Sequence, residues 1–221
     1  MNRLLSIVLF ACLFFPACTG CNDDPTLDKP VVINKNDVRI ELPQEYIEPL
    51  KESVDTYFSS MSEGDFKTYV DMVYPKVFLE DSLKEQTIAM MQDYADRGLR
   101  NVTTGHELIY ASPLIQDSLQ KVTRLVLKVK HEVLFSSDYP GDPKDMENMI
   151  KNQFGADVYS YNEVERKYQI DAQVKLYAIT PDSAIHFTFL NDQYSQSRYL
   201  SEMLLYNTIF ELKKLDEKNG Y

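Results

Sequence analysis

Side-chain chemistry in this chain has few places to sit. The cysteines are Cys12, Cys18 and Cys21, all within the first 21 residues, so the remaining chain has neither a thiol nor a disulfide framework. Cys18 and Cys21 form a Cys-Thr-Gly-Cys pair, the spacing of a redox or metal-binding dithiol, although no strand pattern precedes it. The histidines are His106, His131 and His186. His131 interrupts the apolar row Leu125, Leu127, Val129, Val133, Phe135. A histidine there is either a general base or ligand contact, or a core residue hydrogen-bonded to a neighbour. His106 shares a row with Leu108 and Tyr110, and His186 with Ala184, Thr188 and Leu190. Neither has an acid or cysteine at ligand spacing, so no metal site and no cofactor is expected. Asp138–Asn148 gathers acids around Gly141 without calcium-loop spacing. The sequence has no Gly-rich phosphate loop, no Gly-x-Ser-x-Gly elbow and no His-Glu-x-x-His.

Helices come first and strands after. Ile47, Leu50, Val54, Tyr57, Phe58 and Met61 recur at helical spacing. Ser62–Asp65 breaks this pattern, and Asp65 suits the cap of a second helix bearing Phe66, Tyr69, Val70 and Val73, which Pro75 stops. Ser82 and Glu85 make a capping box for a third helix, with Leu83, Ile88, Met91 and Tyr94 inward and Gly98 at its end. After Asn101 the period falls to two. Thr123–Phe135 alternates, as does Arg166–Ala178 with its row Tyr168, Ile170, Ala172, Val174, Leu176, Ala178; this predicts antiparallel strands with one wet face. Glu132 and Asp171 fall on the wet rows. His106–Leu114 and Ala184–Leu190 are further strand candidates, Pro143–Phe154 reads as a short helix, and Thr208–Leu215 as a terminal one. Tyr159, Tyr161, Tyr168, Tyr177, Tyr194, Tyr199 and Tyr206 crowd the second half, which suits strand packing as well as a binding surface. The pattern predicts an α+β fold with a single domain over 44–221.

The start reads differently. Arg3, the apolar run Leu4–Phe15 and the small residues Ala17 and Gly20 describe a secretory signal peptide, the run being too short to span a bilayer. The boundary resembles a bacterial lipoprotein signal, in which a small residue precedes a cysteine that becomes the lipidated first residue. Gly20 before Cys21 favours Cys21, with Cys18 after Ala17 as the alternative. Cleavage before Cys21 would discard Cys18 and with it the dithiol. Asn22-Asp23-Asp24 resembles the export tag of surface-exposed lipoproteins in Bacteroidetes, and suits the start of a solvated linker equally well. The resemblance implies a signal over 1–20, a Pro-containing tether over 21–43 with a short edge strand near Val38–Leu42, and an acyl anchor in the outer membrane. Net charge is −11, becoming −12 once Arg3 leaves with the leader. A chain this acidic is repelled by nucleic acid and by anionic headgroups, so attachment would fall to the lipid. Asp-Ser steps at Ser82, Ser118 and Ser183 resemble short O-glycosylation acceptors, and also suit caps and turns.

YIEPLKESVDTYFSSMSEGDFKTYVDMVYPKVF (Tyr46–Phe78) looks like the opening of the cone-shaped fold shared by nuclear transport factor two and ketosteroid isomerase: an apolar helix, a Gly-Asp turn, a second helix. FGADVYSYNEVERKYQIDAQVKLYAI (Phe154–Ile179) and AIHFTFLND (Ala184–Asp192) resemble the later strands of Bacteroidetes lipoproteins of that type. Members often carry Trp where Ile185-His186-Phe187 stands, and this chain has no Trp. Over roughly residues 45–215 the resemblance implies two or three helices closing over a curved antiparallel sheet, with His131 on the concave row. It also implies three roles. The first expectation is a non-catalytic module receiving a small apolar ligand, a glycan or an envelope protein. The alternatives are an isomerase or hydratase in the same cavity, or a structural homodimer through the open sheet face. Isomerase chemistry needs a carboxylate base and a donor pair inside an apolar cavity, and no inward acid is legible.

Overall fold

In a computed structural model, residues 38–78, 80–155, 158–192 and 200–221 are described. Cys12, Cys18, Cys21, the Asn-Asp-Asp tract, Tyr194 and Tyr199 lie outside them. The Ser62–Asp65 break shows how closely local sequence dictates the entry to the fold. Helix α1 (Gln44–Glu63) ends on Gly64 at φ 79°, whose N–H reaches Met61 O while Asp65 N–H reaches Ser60 O at 2.9 Å. That left-handed turn needs glycine. Asp65 then accepts from Thr68 N–H at 3.1 Å and starts α2 (Phe66–Met72), so two residues both stop one helix and open the next. Tyr74 opens a 3₁₀ turn at Pro75–Val77, as the proline requires. Helix α3 (Asp81–Asp96) starts two residues earlier than the capping box implies: Glu80 sits at the cap and receives Ser82 Oγ at 3.3 Å, so no capping box forms.

The strands are β1 (Arg39–Ile40), β2 (Leu99–Ala111), β3 (Ile115–Asp117), β4 (Gln120–Phe135), β5 (Tyr159–Asn162), β6 (Lys167–Pro181) and β7 (Thr188–Asn191). Of these, β2, β4 and β6 follow the period-two signal with longer limits, β1 and β7 are shorter than the sequence predicts, and β3 and β5 are additional. Helix α4 (Glu147–Phe154), preceded by a 3₁₀ turn at Pro143–Met146, separates β4 from β5; α5 (Leu200–Met203) and α6 (Tyr206–Asn219) end the chain. The sheet runs β1-β2-β4-β6-β5, with β3 continuing β2's edge of β4 and β7 pairing the far half of β6. Every pairing between these strands is antiparallel except the short β1–β2 contact, and an isolated parallel bridge joins Val73 to Phe189. Leu42 is buried, so the end of the segment read as tether already packs on the domain.

Two sites explain the curvature. Register shifts between Thr103 and Gly105 and between Leu108 and Tyr110 add residues to β2, which bends the strand and increases twist. Gly98, at φ 89°, lets the chain turn from α3 into β2 against Ser136, whose Oγ lies 1.9 Å from where a Cβ would stand. Helices α1 and α2 lie across the concave face: Leu50, Val54, Tyr57, Tyr69 and Val70 pack on Leu125, Leu127, Leu176 and Phe189. Burying each such side chain is worth about 1.5–3 kcal/mol, enough in aggregate to carry one desolvated imidazole on the same row. A second cluster around Tyr168, Phe135 and Ile150 closes the far end, where Tyr159 and Tyr161 pack on Tyr168. Tyr168 and Tyr177 are thus core residues, whereas Tyr206 is exposed. No described helix is long and apolar enough to cross a membrane.

Candidate functional site

The row that carries His131 faces inward. Between it and the helices remains a cavity of about 60 Å³, lined by Tyr57, Phe58 and Met61 of α1, Tyr69 of α2, Val129, His131, Ala172 and Val174 of the sheet, and also by Phe154 and Asn191. Strand pairing sets Thr103 directly opposite His131, and its Oγ1 lies 3.3 Å from Nδ1. Only 7% of His131 is exposed, and burial lowers its pKa to about 4 against a weaker opposing pull from Glu132; the ring is therefore neutral at physiological pH. Glu132 itself points to the other face, where it accepts from Lys167 Nζ at 3.0 Å and Gln169 Nε2 at 3.2 Å. Those bonds, Lys167's first, hold its carboxyl below the usual range. Tyr57 and Tyr69 bring their hydroxyls to 3.1 Å above the sheet, with ring centroids 4.9 Å apart.

This arrangement can hold an uncharged molecule and orient one polar group on it. It is poorly furnished for proton abstraction. Among the described lining residues none is a carboxylate, and an imidazole of pKa about 4 is far from the near-neutral optimum of a general base. The volume also falls far below the roughly 300–1,000 Å³ of pockets that enclose drug-sized ligands.

The other histidines go elsewhere. His106 stacks on Phe58 at 5.0 Å and its Nε2 lies 2.8 Å from Asp55 Oδ1, an acid 51 residues away on α1 that no local spacing reveals. The bulge at Leu108/Tyr110 breaks the row His106-Leu108-Tyr110: Tyr110 turns to the outer face and stacks on Tyr221 at 4.6 Å. His186 is exposed in the turn before β7, outside any strand, because β7 begins only at Thr188. Among the described residues no group of three or more His, Cys, Asp or Glu side chains could hold a metal. Cys21 and Cys18 fall outside the described residues.

One polar cluster was missed entirely. Arg124 alternates with core residues on β4 and reads as a wet-face cation, yet it is 2% exposed beneath α6. Its Nη atoms grip Asp192 at 2.6 and 2.5 Å, Nε reaches Asp216 Oδ2 of α6 at 2.7 Å, and the guanidinium lies 4.6 Å over the Tyr177 ring. Burial is the largest single influence and opposes its charge, but the Asp192 bonds together with the charges of Asp192 and Asp216 and the neighbouring Tyr177 outweigh it, and the pKa rises further. Burial pushes the Asp216 carboxyl up, against the pull of Arg124. Asp192 directly follows Asn191, so this clamp anchors the end of β7 where it reaches the cavity.

No protein-family model matches the chain, and no curated protein matches it in sequence. Among solved structures, the chain is similar to a candidate dehydratase of the NTF2-like family from Streptomyces avermitilis. Identity is 11%, covering 66% of this chain and 93% of that one, with a TM-score of 0.35. So faint a likeness carries no argument about activity. The α+β cone architecture stands on the sheet and helices themselves.

Proposed function

We propose that this chain is an exported, lipid-anchored module whose cone domain binds a small molecule in its concave cavity and does not transform it. The observation that supports binding over catalysis is the lining itself: apolar side chains, hydrogen-bonded tyrosines and one neutral histidine, with no described carboxylate. The isomerase or hydratase alternative needs a base and a donor pair aimed at the reacting atoms; the described lining holds no carboxylate, and the Tyr57 and Tyr69 hydroxyls bond each other.

Ala172 lies at the middle of β6 against the cavity, so Ala172→Val adds two methyl groups into the empty space. In methyl-detected NMR with a library of fragments of four to seven heavy atoms, binders should shift Val129 and Val174 in the wild type and lose affinity at least tenfold in Ala172→Val. A library that moves no cavity methyl in the wild type overturns the binding reading. Anchoring is tested apart from this. A radiolabelled fatty acid fed to the producing cells should label the wild type and not Cys21→Ala; equal label on both would reassign the anchor, with Cys18 next.

A further inference from the structure

Resting on the binding reading above, we propose that the cavity selects a small uncharged molecule bearing one hydrogen-bond acceptor, such as a ketone, ether or alcohol oxygen, which the Nε2–H of His131 binds. The assignment starts from Thr103. Its backbone N–H is taken by Ser62 Oγ at 2.9 Å, and its hydroxyl has one partner among the described residues, His131 Nδ1. A hydroxyl can donate to or accept from a ring nitrogen; donating gives the Thr103 proton its one described partner, and in that arrangement Nδ1 holds the lone pair and the proton sits on Nε2. Nε2 is the ring's remaining polar atom, and His131 lines the cavity.

The rest of the lining decides charge and size. An ionic ligand would be stripped of water with no opposite charge among the described lining residues, a cost that an apolar body would not recover. The Tyr57 and Tyr69 hydroxyls bond each other on the helix side, and Asn191 stands at β7, so the imidazole is the ring donor that the central strands present to the cavity. The space suits about four to six non-hydrogen atoms, each displacing roughly one water's share of such a cavity. A longer ligand would lodge only its acceptor end here.

Three probes built on one five-membered carbon ring test this on the full domain: cyclopentanone, cyclopentene and the cyclopentylammonium ion, titrated against the methyls of Val129, Val174 and Leu176. Cyclopentanone should bind at least tenfold more tightly than cyclopentene, and the ammonium ion should shift nothing. The ¹⁵N spectrum of His131 should show a protonated Nε2 and an unprotonated Nδ1. His131→Phe should keep cyclopentene binding and abolish the preference for the ketone. Thr103→Val keeps the β-branched shape and the bond to Ser62 while freeing the tautomer, and should reduce that preference even if His131→Phe fails to fold. Equal binding of ketone and alkene, binding of the ammonium ion, or a proton on Nδ1 would overturn the proposal while leaving a binding cavity. If none of the probes moves a cavity methyl, the binding reading falls and this selectivity falls with it.

Discussion

Replacing Arg124 by methionine is expected to cost the fold about 3–5 kcal/mol, a large share of the roughly 5–15 kcal/mol that holds an ordinary domain together. The cost comes less from what the guanidinium contributes than from what it leaves behind. Asp216 keeps only 5% of its side chain exposed and Asp192 23%, so removing the cation strands two carboxylates beneath α6. Methionine fills much of the volume, which separates the electrostatic loss from a cavity. Urea unfolding should show the midpoint falling with little change in slope. The sharper result is the double variant. Arg124→Met with Asp216→Leu removes the worst of the stranded charge and should recover at least half of the loss, because a buried ion pair is seldom more stable than an apolar replacement of similar shape. A double variant no more stable than Arg124→Met alone would show that packing, and not charge, explains the cluster. α6 should loosen first, and the Tyr110–Tyr221 stack and the Asn219–Tyr110 hydrogen bond at 3.0 Å give local reporters of that.

Acid should weaken the fold through His131. The folded ring has a pKa near 4, against an ordinary 6.5 in the unfolded chain, so in between the unfolded state binds the extra proton. Stability therefore rises with pH across that window: it is fully present above about 6.5 and is lost as the pH falls towards 4. A shift of this size corresponds to about 3 kcal/mol at the acid end. Glu132, the nearest charged group, has a lowered pKa; its contribution is present above the ordinary glutamate value and fades below it, so it overlaps only the lowest part of the window. Urea midpoints at pH 7 and pH 4.5 should diverge for the wild type and converge for His131→Phe, which keeps an aromatic ring on the row. Equal divergence in both proteins would mean that His131 titrates normally, and with it the description of a dry, neutral site would go.

How much of this was legible follows from which signals are local. The Gly64-Asp65 junction was readable because a left-handed stop and a carboxylate cap act within four residues of chain. Alternation on β4 and β6 was enough to place Leu125, Leu127, Val129, His131, Ala172 and Val174 on one inner face, since a strand's two faces are set by parity alone. Parity failed where the count changes: the β2 bulges moved Tyr110 to the outer face, and Ala184–Phe187 stayed outside β7. It failed again at Arg124, because nothing near it in sequence tells that α6, some 80–90 residues later, covers that end of the sheet with Asp216. The Tyr57–Tyr69 hydroxyl pair read as two apolar helix positions; that their polar tips meet depends on how α1 and α2 cross.

By itself, the sequence determined the order of the main helices and strands, the identity of the inner rows and the singular place of His131 on one of them. Those features depend on short-range sterics and on period. Only the tertiary structure decided that Thr103 faces His131, that Asp55 reaches His106, that Arg124 is buried between two acids, and that the space under the helices is small and lacks a described carboxylate. Each of these joins segments tens of residues apart, and the free energy that brings them together comes from the summed burial of the core, which no local pattern specifies.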